Sequence, residues 1–151
     1  MSSSALRKLV LRKRLAPFLR TGQPTSFDVF GQKLSCTIHH QEHSDAPMIA
    51  ILPGWLGSAE SSYALGFAQA LWNRGYSIAR LTLRDHGGTA ALNASMFNSS
   101  LTDEVVQFVQ ASLEGAKRCG LLGFSLGGNC ELREVRAGPG LGTRATCPPV
   151  E

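Results

Sequence analysis

The sequence lacks the features that would place it in a special class of protein. No stretch approaches the ~18 consecutive apolar residues of a membrane-spanning helix, and the longest apolar run, residues 48–53, has the length of a buried strand. The four cysteines form no C-x-x-C pair, so we predict reduced thiols rather than a disulfide framework. Internal repeats and low-complexity tracts are also missing. With 43% hydrophobic and 17% charged residues, the composition is that of a globular domain with a buried core.

Acidic residues are missing from the first twenty positions, which carry six of the fifteen lysines and arginines. The rest of the chain has nine bases against eleven acids, so the net charge of +4 does not predict nucleic-acid binding. Apolar residues at helical spacing predict a basic helical extension over residues 1–24. Three interpretations of residues 1–20 remain open: a peripheral surface helix, a helix that contacts a membrane surface or an anionic partner, and a transit peptide.

The same segment bears on localisation, because lysine and arginine interrupt its apolar residues. This pattern does not match a secretory signal. We therefore predict a cytoplasmic protein, with organelle targeting or peripheral membrane attachment as the alternatives.

Motifs for nucleotides and metals are absent or out of context. No G-x-G-x-x-G or P-loop pattern occurs, so no cofactor is predicted. Residues 39–43 spell H-x-x-E-H, a zinc-protease string that requires a helix to bring both histidines to one face. Here His39 ends a predicted strand, and His40 and His43 enter a polar loop. We predict a solvated loop and no metal site.

Strand and helix patterns alternate along most of the chain. This order predicts an α/β fold with a mostly parallel sheet, a leading antiparallel hairpin joined at Gly31-Gln32, and helices on both faces. The domain is expected to span residues 25–137. Residues 138–151 show neither period, and a disordered tail is predicted there. The predicted strands are 27–30, 33–39, 48–52, 76–83 and 118–124, and the predicted helices are 58–74 and 101–113, with another starting after residue 125.

One motif carries chemistry. Gly123-Phe124-Ser125-Leu126-Gly127 matches G-x-S-x-G, and it lies between a predicted strand and a predicted helix. In such a nucleophile elbow, glycines leave room for a strained turn that lifts the serine hydroxyl above the sheet, at a helix N-terminus that favours negative charge. Ser125 is therefore the candidate catalytic nucleophile.

A second segment fits the same chemistry. Residues 52–57 follow a buried strand and precede a helix, which is where an oxyanion hole takes one of its donors. We expect the backbone amides of Leu126 and Trp55, with Leu56 as the alternative to Trp55, to bind the oxyanion. Loss of one such donor typically lowers the rate ~10²–10³-fold.

Together these motifs resemble the α/β-hydrolase superfamily and, within it, the YheT-like branch of hydrolases and esterases. The resemblance covers residues 25–130 and rests on residues 52–57 with 60–63, on 84–89 and on 123–129. It implies a partial α/β-hydrolase fold and a serine nucleophile acting on a small-molecule or lipid ester. The sequence departs from the family at Pro53, where many relatives have histidine.

The triad order of this family is serine, then an acid, then histidine, yet every histidine here precedes Ser125. The resemblance implies that His86 orders a loop rather than acting as the base. We therefore expect a truncated or frame-shifted chain with very weak or no activity. The strand at 118–124 would then present an unpaired edge that favours self-association.

The alternative function is a non-catalytic, hydrolase-like interaction module. The acids that follow Ser125 are Glu131, Glu134 and Glu151.

Overall fold

In the computed structural model, residues 3–54, 57–84, 102–125 and 142–143 are described. They form three helices and six strands. Residues 85–101, the predicted helix after Ser125 and most of the predicted tail lie outside these ranges. In chain order the elements are α1 (Ser3–Leu19), β1 (Gly22–Val29), β2 (Gln32–His39), β3 (Met48–Leu52), α2 (Ser62–Trp72), β4 (Ser77–Thr82), α3 (Thr102–Ser112), β5 (Cys119–Gly123) and β6 (Gly142–Thr143).

The strands form one mixed sheet in the order β1-β2-β4-β3-β5-β6. The hairpin β1-β2 and the pair β2-β4 are antiparallel, whereas β3 runs parallel to both β4 and β5. This arrangement confirms the predicted parallel sheet with a leading antiparallel hairpin. Within the predicted tail, Gly142 and Thr143 form a two-residue strand that pairs with Gly120 and Leu121 of β5.

The hairpin differs from its prediction in two details. Its turn is Phe30-Gly31 rather than Gly31-Gln32, because Val29 pairs with Gln32. Both turn residues have positive φ, 49° and 74°, as a two-residue turn matched to the twist of a hairpin requires. Strand β1 also starts earlier than predicted, at Gly22, because it pairs with β2 over its whole length. Its first residues are polar and partly exposed, so the sequence shows no apolar alternation there that would have predicted a strand.

One face of the sheet is covered by α1 and α2. Phe18 in the last turn of α1 is buried in a cluster with residues of β3, β4 and α2, and Leu15 is equally buried. The other members of this cluster are Ile51, Ala64, Ala68 and Ile78. The end of α1 is thus part of the core.

Within the described residues, no helix is both long and apolar enough to cross a bilayer.

The opposite face is covered by α3. Its residues Val105, Phe108 and Val109 pack on the alternate residues of β3 and β4, including Ala50 and Leu81. Burial on both faces explains why β3 is uniformly hydrophobic, whereas β4 is equally buried but contains Arg80. Helices on both faces of the sheet confirm the prediction.

Candidate active site

Ser125 lies two residues beyond the carboxyl end of β5, and its residue surface is exposed. Its φ is +50°, in the left-handed region that costs a residue with a Cβ roughly 1–2 kcal/mol. The strained turn expected of the G-x-S-x-G motif is therefore present at the predicted position. Leu126, a predicted oxyanion donor, lies outside the described residues, and the catalytic role of Ser125 stays a prediction.

The loop after β3 packs directly against this turn. Leu52 and Gly123 are in register on neighbouring parallel strands, and the Phe124 amide donates to the Leu52 carbonyl at 3.1 Å. A Cβ added to Gly54 would lie 3.1 Å from the Phe124 carbonyl oxygen and 3.2 Å from the Ser125 Cβ. Glycine at position 54 thus allows the two loops to approach.

This loop turns sharply, because the Gly57 amide donates to the Gly54 carbonyl at 2.9 Å. Between these two glycines are Trp55 and Leu56, the predicted oxyanion donor and its alternative, and both lie outside the described residues. The structure places Gly54, which precedes them, against Ser125 at the carboxyl edge of the sheet. The predicted oxyanion segment and the predicted nucleophile therefore meet.

Tyr63 in the first turn of α2 supports this loop, a role that the sequence analysis did not identify. Its hydroxyl accepts a hydrogen bond from the Gly54 amide at 3.0 Å, and its ring lies 4.8 Å from the Phe124 ring. A Cβ on Gly57 would overlap the hydroxyl, so the absence of a side chain there makes room for it. Tyr63 therefore contacts both segments of the candidate site.

We expect Gly57→Ala to displace the Tyr63 hydroxyl and break its bond to Gly54, at a cost of about 1–2 kcal/mol. In a Tyr63→Phe background the same substitution should cost less, because the overlapping oxygen is gone. Urea unfolding of the four variants of this double-mutant cycle measures the coupling. Additive costs would show that Tyr63 does not occupy the space beside Gly57.

The strain at Ser125 gives a prediction that does not depend on activity. Ser125→Gly should raise the free energy of unfolding by about 1 kcal/mol, because glycine adopts a positive φ without steric cost. Ser125→Ala keeps the Cβ and should leave stability unchanged within about 0.5 kcal/mol. Chemical denaturation of both variants distinguishes backbone strain from loss of the hydroxyl. Equal stabilities would argue against a strained elbow.

His39, predicted to lie in a solvated region, is instead fully buried. Its ring stacks on Phe18 at a centroid distance of 4.0 Å, and its Nε2 accepts a hydrogen bond from Arg80 Nε at 3.0 Å. The opposite nitrogen, Nδ1, is 2.9 Å from Thr21 Oγ1, and this hydroxyl donates to the Phe18 carbonyl. Because Nε2 accepts, neutral His39 carries its proton on Nδ1. Each group in this series of hydrogen bonds, from Arg80 to the Phe18 carbonyl, then has a partner. The prediction failed because Phe18 and Arg80 are distant in sequence.

None of the described histidines is placed to activate Ser125. His39 pairs with Ile78 at the start of β4, whereas Ser125 follows the opposite, carboxyl end of the parallel strands. Burial, followed by the charge of Arg80, lowers the pKa of His39 to about 4. His40 and His43 are exposed beyond the same far end of β2. His86 lies outside the described residues.

Arg80 and Thr82 on β4 fix the segment that joins the oxyanion loop to α2. The Thr82 hydroxyl accepts from the Ala59 amide at 3.0 Å. Arg80 donates to the Ala59 carbonyl and, at 3.2 Å, to Glu60 Oε1. Burial lowers the pKa of Arg80 and Glu60 opposes that effect. A buried guanidinium thus ties the loop beside Ser125 to the centre of the sheet.

Neither the buried thiol of Cys36 nor a metal centre competes with Ser125 in the described part of the chain. Cys36 is buried on β2, and burial raises the pKa of its thiol to about 12, which disfavours the reactive thiolate. No group of three or more His, Cys, Asp or Glu side chains in the described ranges is arranged to hold a metal ion. Ser125 is therefore kept as the candidate nucleophile.

Comparisons with known proteins define the fold. No family model matches the chain, and no curated protein matches it. Solved structures do match. An alpha/beta hydrolase from Penicillium sp. has a TM-score of 0.71 and 15% sequence identity, over 82% of this chain and 45% of that one. An esterase from Pyrococcus furiosus has a TM-score of 0.58 and 21% identity, over 82% of this chain and 48% of that one, and an alpha/beta serine hydrolase without a lid from Xanthomonas campestris has a TM-score of 0.58 and 22% identity, over 77% of this chain and 56% of that one. The chain spans about half the length of these structures and has a partial α/β-hydrolase fold.

Proposed function

We propose that the chain carries the nucleophile half of a carboxylester hydrolase in which Ser125 is the nucleophile. One observation carries this proposal: a non-glycine residue with φ of +50° follows β5 and packs against the glycine loop that follows β3. Unlike Phe30, whose positive φ belongs to a hairpin turn, Ser125 follows a parallel strand, and strained residues cluster at functional sites. Structures of the same fold that are described as an esterase and a serine hydrolase support the reaction class.

In the proposed reaction, Ser125 Oγ attacks the ester carbonyl carbon and its proton passes to a base. The carbonyl oxygen becomes an oxyanion, which the Trp55 and Leu126 amides stabilise. The bond to the alcohol then breaks and leaves an acyl-serine, which water hydrolyses to the free acid. Tyr63 holds Gly54 in place, and Arg80 and Thr82 hold the segment that follows.

The described residues supply no base for Ser125. No histidine follows Ser125 in the sequence, and the described histidines lie at the opposite end of the sheet. We therefore propose that the chain alone is a very weak catalyst. Assignment to the YheT-like branch is likewise a proposal. The hydrogen bond between Gly54 and Tyr63 supports this assignment, because both residues belong to the motifs on which the resemblance rests.

Added imidazole tests the proposal, since it can replace an absent histidine. The chain is assayed with p-nitrophenyl acetate at increasing imidazole, and the hydrolysis that imidazole causes by itself is measured with Ser125→Ala. We expect almost no turnover without imidazole and an increment above the Ser125→Ala background with it. Ser44→Ala, which removes a hydroxyl from an exposed loop, should keep the full increment. Imidazole-dependent hydrolysis as fast with Ser125→Ala as with the parent chain would refute Ser125 as the nucleophile.

A non-catalytic interaction module remains the second candidate, and one observation favours it. In the described residues, the strand beside β5 on its outer side is the two-residue β6, and a sheet margin built from so short a strand is a place where another chain can pair. Self-association through this edge is the corresponding proposal. A monomer in gel filtration across a wide concentration range would contradict it.

A further inference from the structure

The outward side of α1 combines apolar and basic side chains that the core does not use. Leu9 is 47% exposed and Val10 is 59% exposed, and Lys13 and Arg14, each four residues further along, are exposed as well. Side chains four residues apart are neighbours on a helix surface, so these four residues form one continuous patch, the α1 patch. Neither Lys13 nor Arg14 forms an ion pair with an acid among the described residues.

The α1 patch is presented by a helix that is fixed to the rest of the fold. Phe18 stacks on His39 of β2 and Leu15 is buried, so the end of α1 is anchored in the core. Three residues before Leu15, Arg12 bonds to Glu60 at 3.0 Å. The patch therefore points away from the sheet in a fixed orientation.

The distribution of charge favours an anionic partner for this patch. Residues 1–20 carry six bases and no acid, whereas the rest of the chain has nine bases against eleven acids. Arg20, directly after α1, is also exposed. A positive segment on a domain of slight negative charge steers the protein towards a negative surface with that segment first.

The two apolar side chains favour a lipid surface over other anionic partners. Nucleic acids are bound through phosphate contacts and hydrogen bonds to base edges, which give Leu9 and Val10 no role. A stable protein interface takes ~800 Å² from each partner, more than a patch of four side chains offers. At a bilayer surface both kinds of side chain fit, because the bases reach the lipid phosphates while leucine and valine enter the boundary of the acyl chains.

We propose that the α1 patch attaches the protein to the surface of a bilayer that contains anionic phospholipids. This inference goes beyond the proposed reaction and does not depend on it. Each lysine or arginine near such a surface raises the partition coefficient about fivefold, and salt weakens this contribution by screening the charges. Attachment is therefore reversible and sensitive to ionic strength.

Two double variants that are matched in charge test the patch. Lys13→Gln with Arg14→Gln removes two bases from the α1 patch, and Lys117→Gln with Arg118→Gln removes the same two residue types from an exposed segment outside α1. The net charge falls by the same amount in both. Glutamine has a helix propensity close to that of lysine and arginine, and thermal unfolding verifies that each variant folds as the parent chain does.

The probes are vesicles of phosphatidylcholine alone and vesicles of equal parts phosphatidylcholine and phosphatidylserine. Binding of the full chain is measured by flotation, in which aggregated protein sinks. We expect the parent chain to float with the mixed vesicles only and to be released by high salt. The Lys13 and Arg14 double variant should lower the partition coefficient about 25-fold, and the Lys117 and Arg118 double variant less than about twofold. No flotation, equal binding to both kinds of vesicle, or equal effects of the two double variants would overturn the proposal.

A third double variant distinguishes a bilayer from other anionic partners. Leu9→Gln with Val10→Gln keeps every charge and should lower the partition coefficient roughly tenfold, because it removes the hydrocarbon that enters the acyl boundary. Double-stranded DNA is the comparison probe. If this variant floats as the parent does and DNA binds the parent as tightly as the vesicles do, the patch is a general polyanion site and the proposal is overturned. Ser125→Ala should float as the parent does, since attachment does not use the candidate nucleophile.

Discussion

Glu104→Ala should lower the free energy of unfolding by about 3–5 kcal/mol, the range expected when one partner of a buried ion pair is removed. Glu104 lies in the first turn of α3, and its carboxylate bonds to the guanidinium of Arg84, which follows β4. Only 5% of the Glu104 side chain and 6% of the Arg84 side chain are exposed. Truncation would leave the Arg84 charge buried without this counter-ion, and that cost exceeds the lost packing.

Asp103 provides the matched control for this prediction, because it is acidic, lies in the same turn of α3 and is exposed. Asp103→Ala should cost less than about 1 kcal/mol, mainly through the weaker interaction with the helix dipole. Glu104→Gln, which keeps the shape and an accepting oxygen, should fall between the two. Urea denaturation with unchanged m-values measures all three. Similar costs for Glu104→Ala and Asp103→Ala would mean that the ion pair contributes little.

Acidification from pH 6.5 to pH 4 should destabilise the chain by about 3 kcal/mol through His39 alone. Burial and Arg80 lower the pKa of His39 from 6.5 to about 4, so in this window the unfolded chain binds a proton that the folded chain does not. Stability therefore rises with pH between about 4 and 6.5 and gains nothing further from His39 above that window. The magnitude follows from ~1.4 kcal/mol per pKa unit.

Two glutamine variants isolate this contribution from that of other titrating groups. His39→Gln offers an acceptor to Arg80 and a donor to Thr21 without titrating, so the slope of stability against pH should become shallower by the His39 share. His40→Gln, at an exposed neighbouring position, should leave the slope unchanged. The free energy of unfolding is measured at half-unit intervals between pH 4 and 7. Parallel slopes for His39→Gln and the parent would show that His39 titrates normally.

The success of sequence-based prediction varied with how local the determining interactions are. Strand β3 was predicted at its observed bounds, because a short apolar run between polar segments specifies a strand buried on both faces. The turn at Ser125 follows from the glycines at fixed spacing in G-x-S-x-G, which encode backbone geometry locally. These elements contain the physical reason for their structure within a few residues.

The supporting interactions were not predictable in the same way. An arginine within the apolar strand β4 can be tolerated only with buried partners, yet its partners, His39 and Glu60, are 41 and 20 residues away in the chain. Tyr63 was noted only as part of a resemblance, because its bond to Gly54 depends on how α2 packs beside the loop. Non-local packing thus decided which polar residues build the site.

The central claim is that Ser125 is a reactive nucleophile, and covalent capture tests it most directly. The full chain is incubated with a fluorophosphonate in the presence of imidazole, digested, and analysed by mass spectrometry to locate the adduct. We predict one phosphonyl adduct on the peptide that contains Ser125. The adduct should be retained in Ser44→Ala and absent in Ser125→Ala. An adduct distributed over other hydroxyl groups, or no adduct on folded protein, would contradict it.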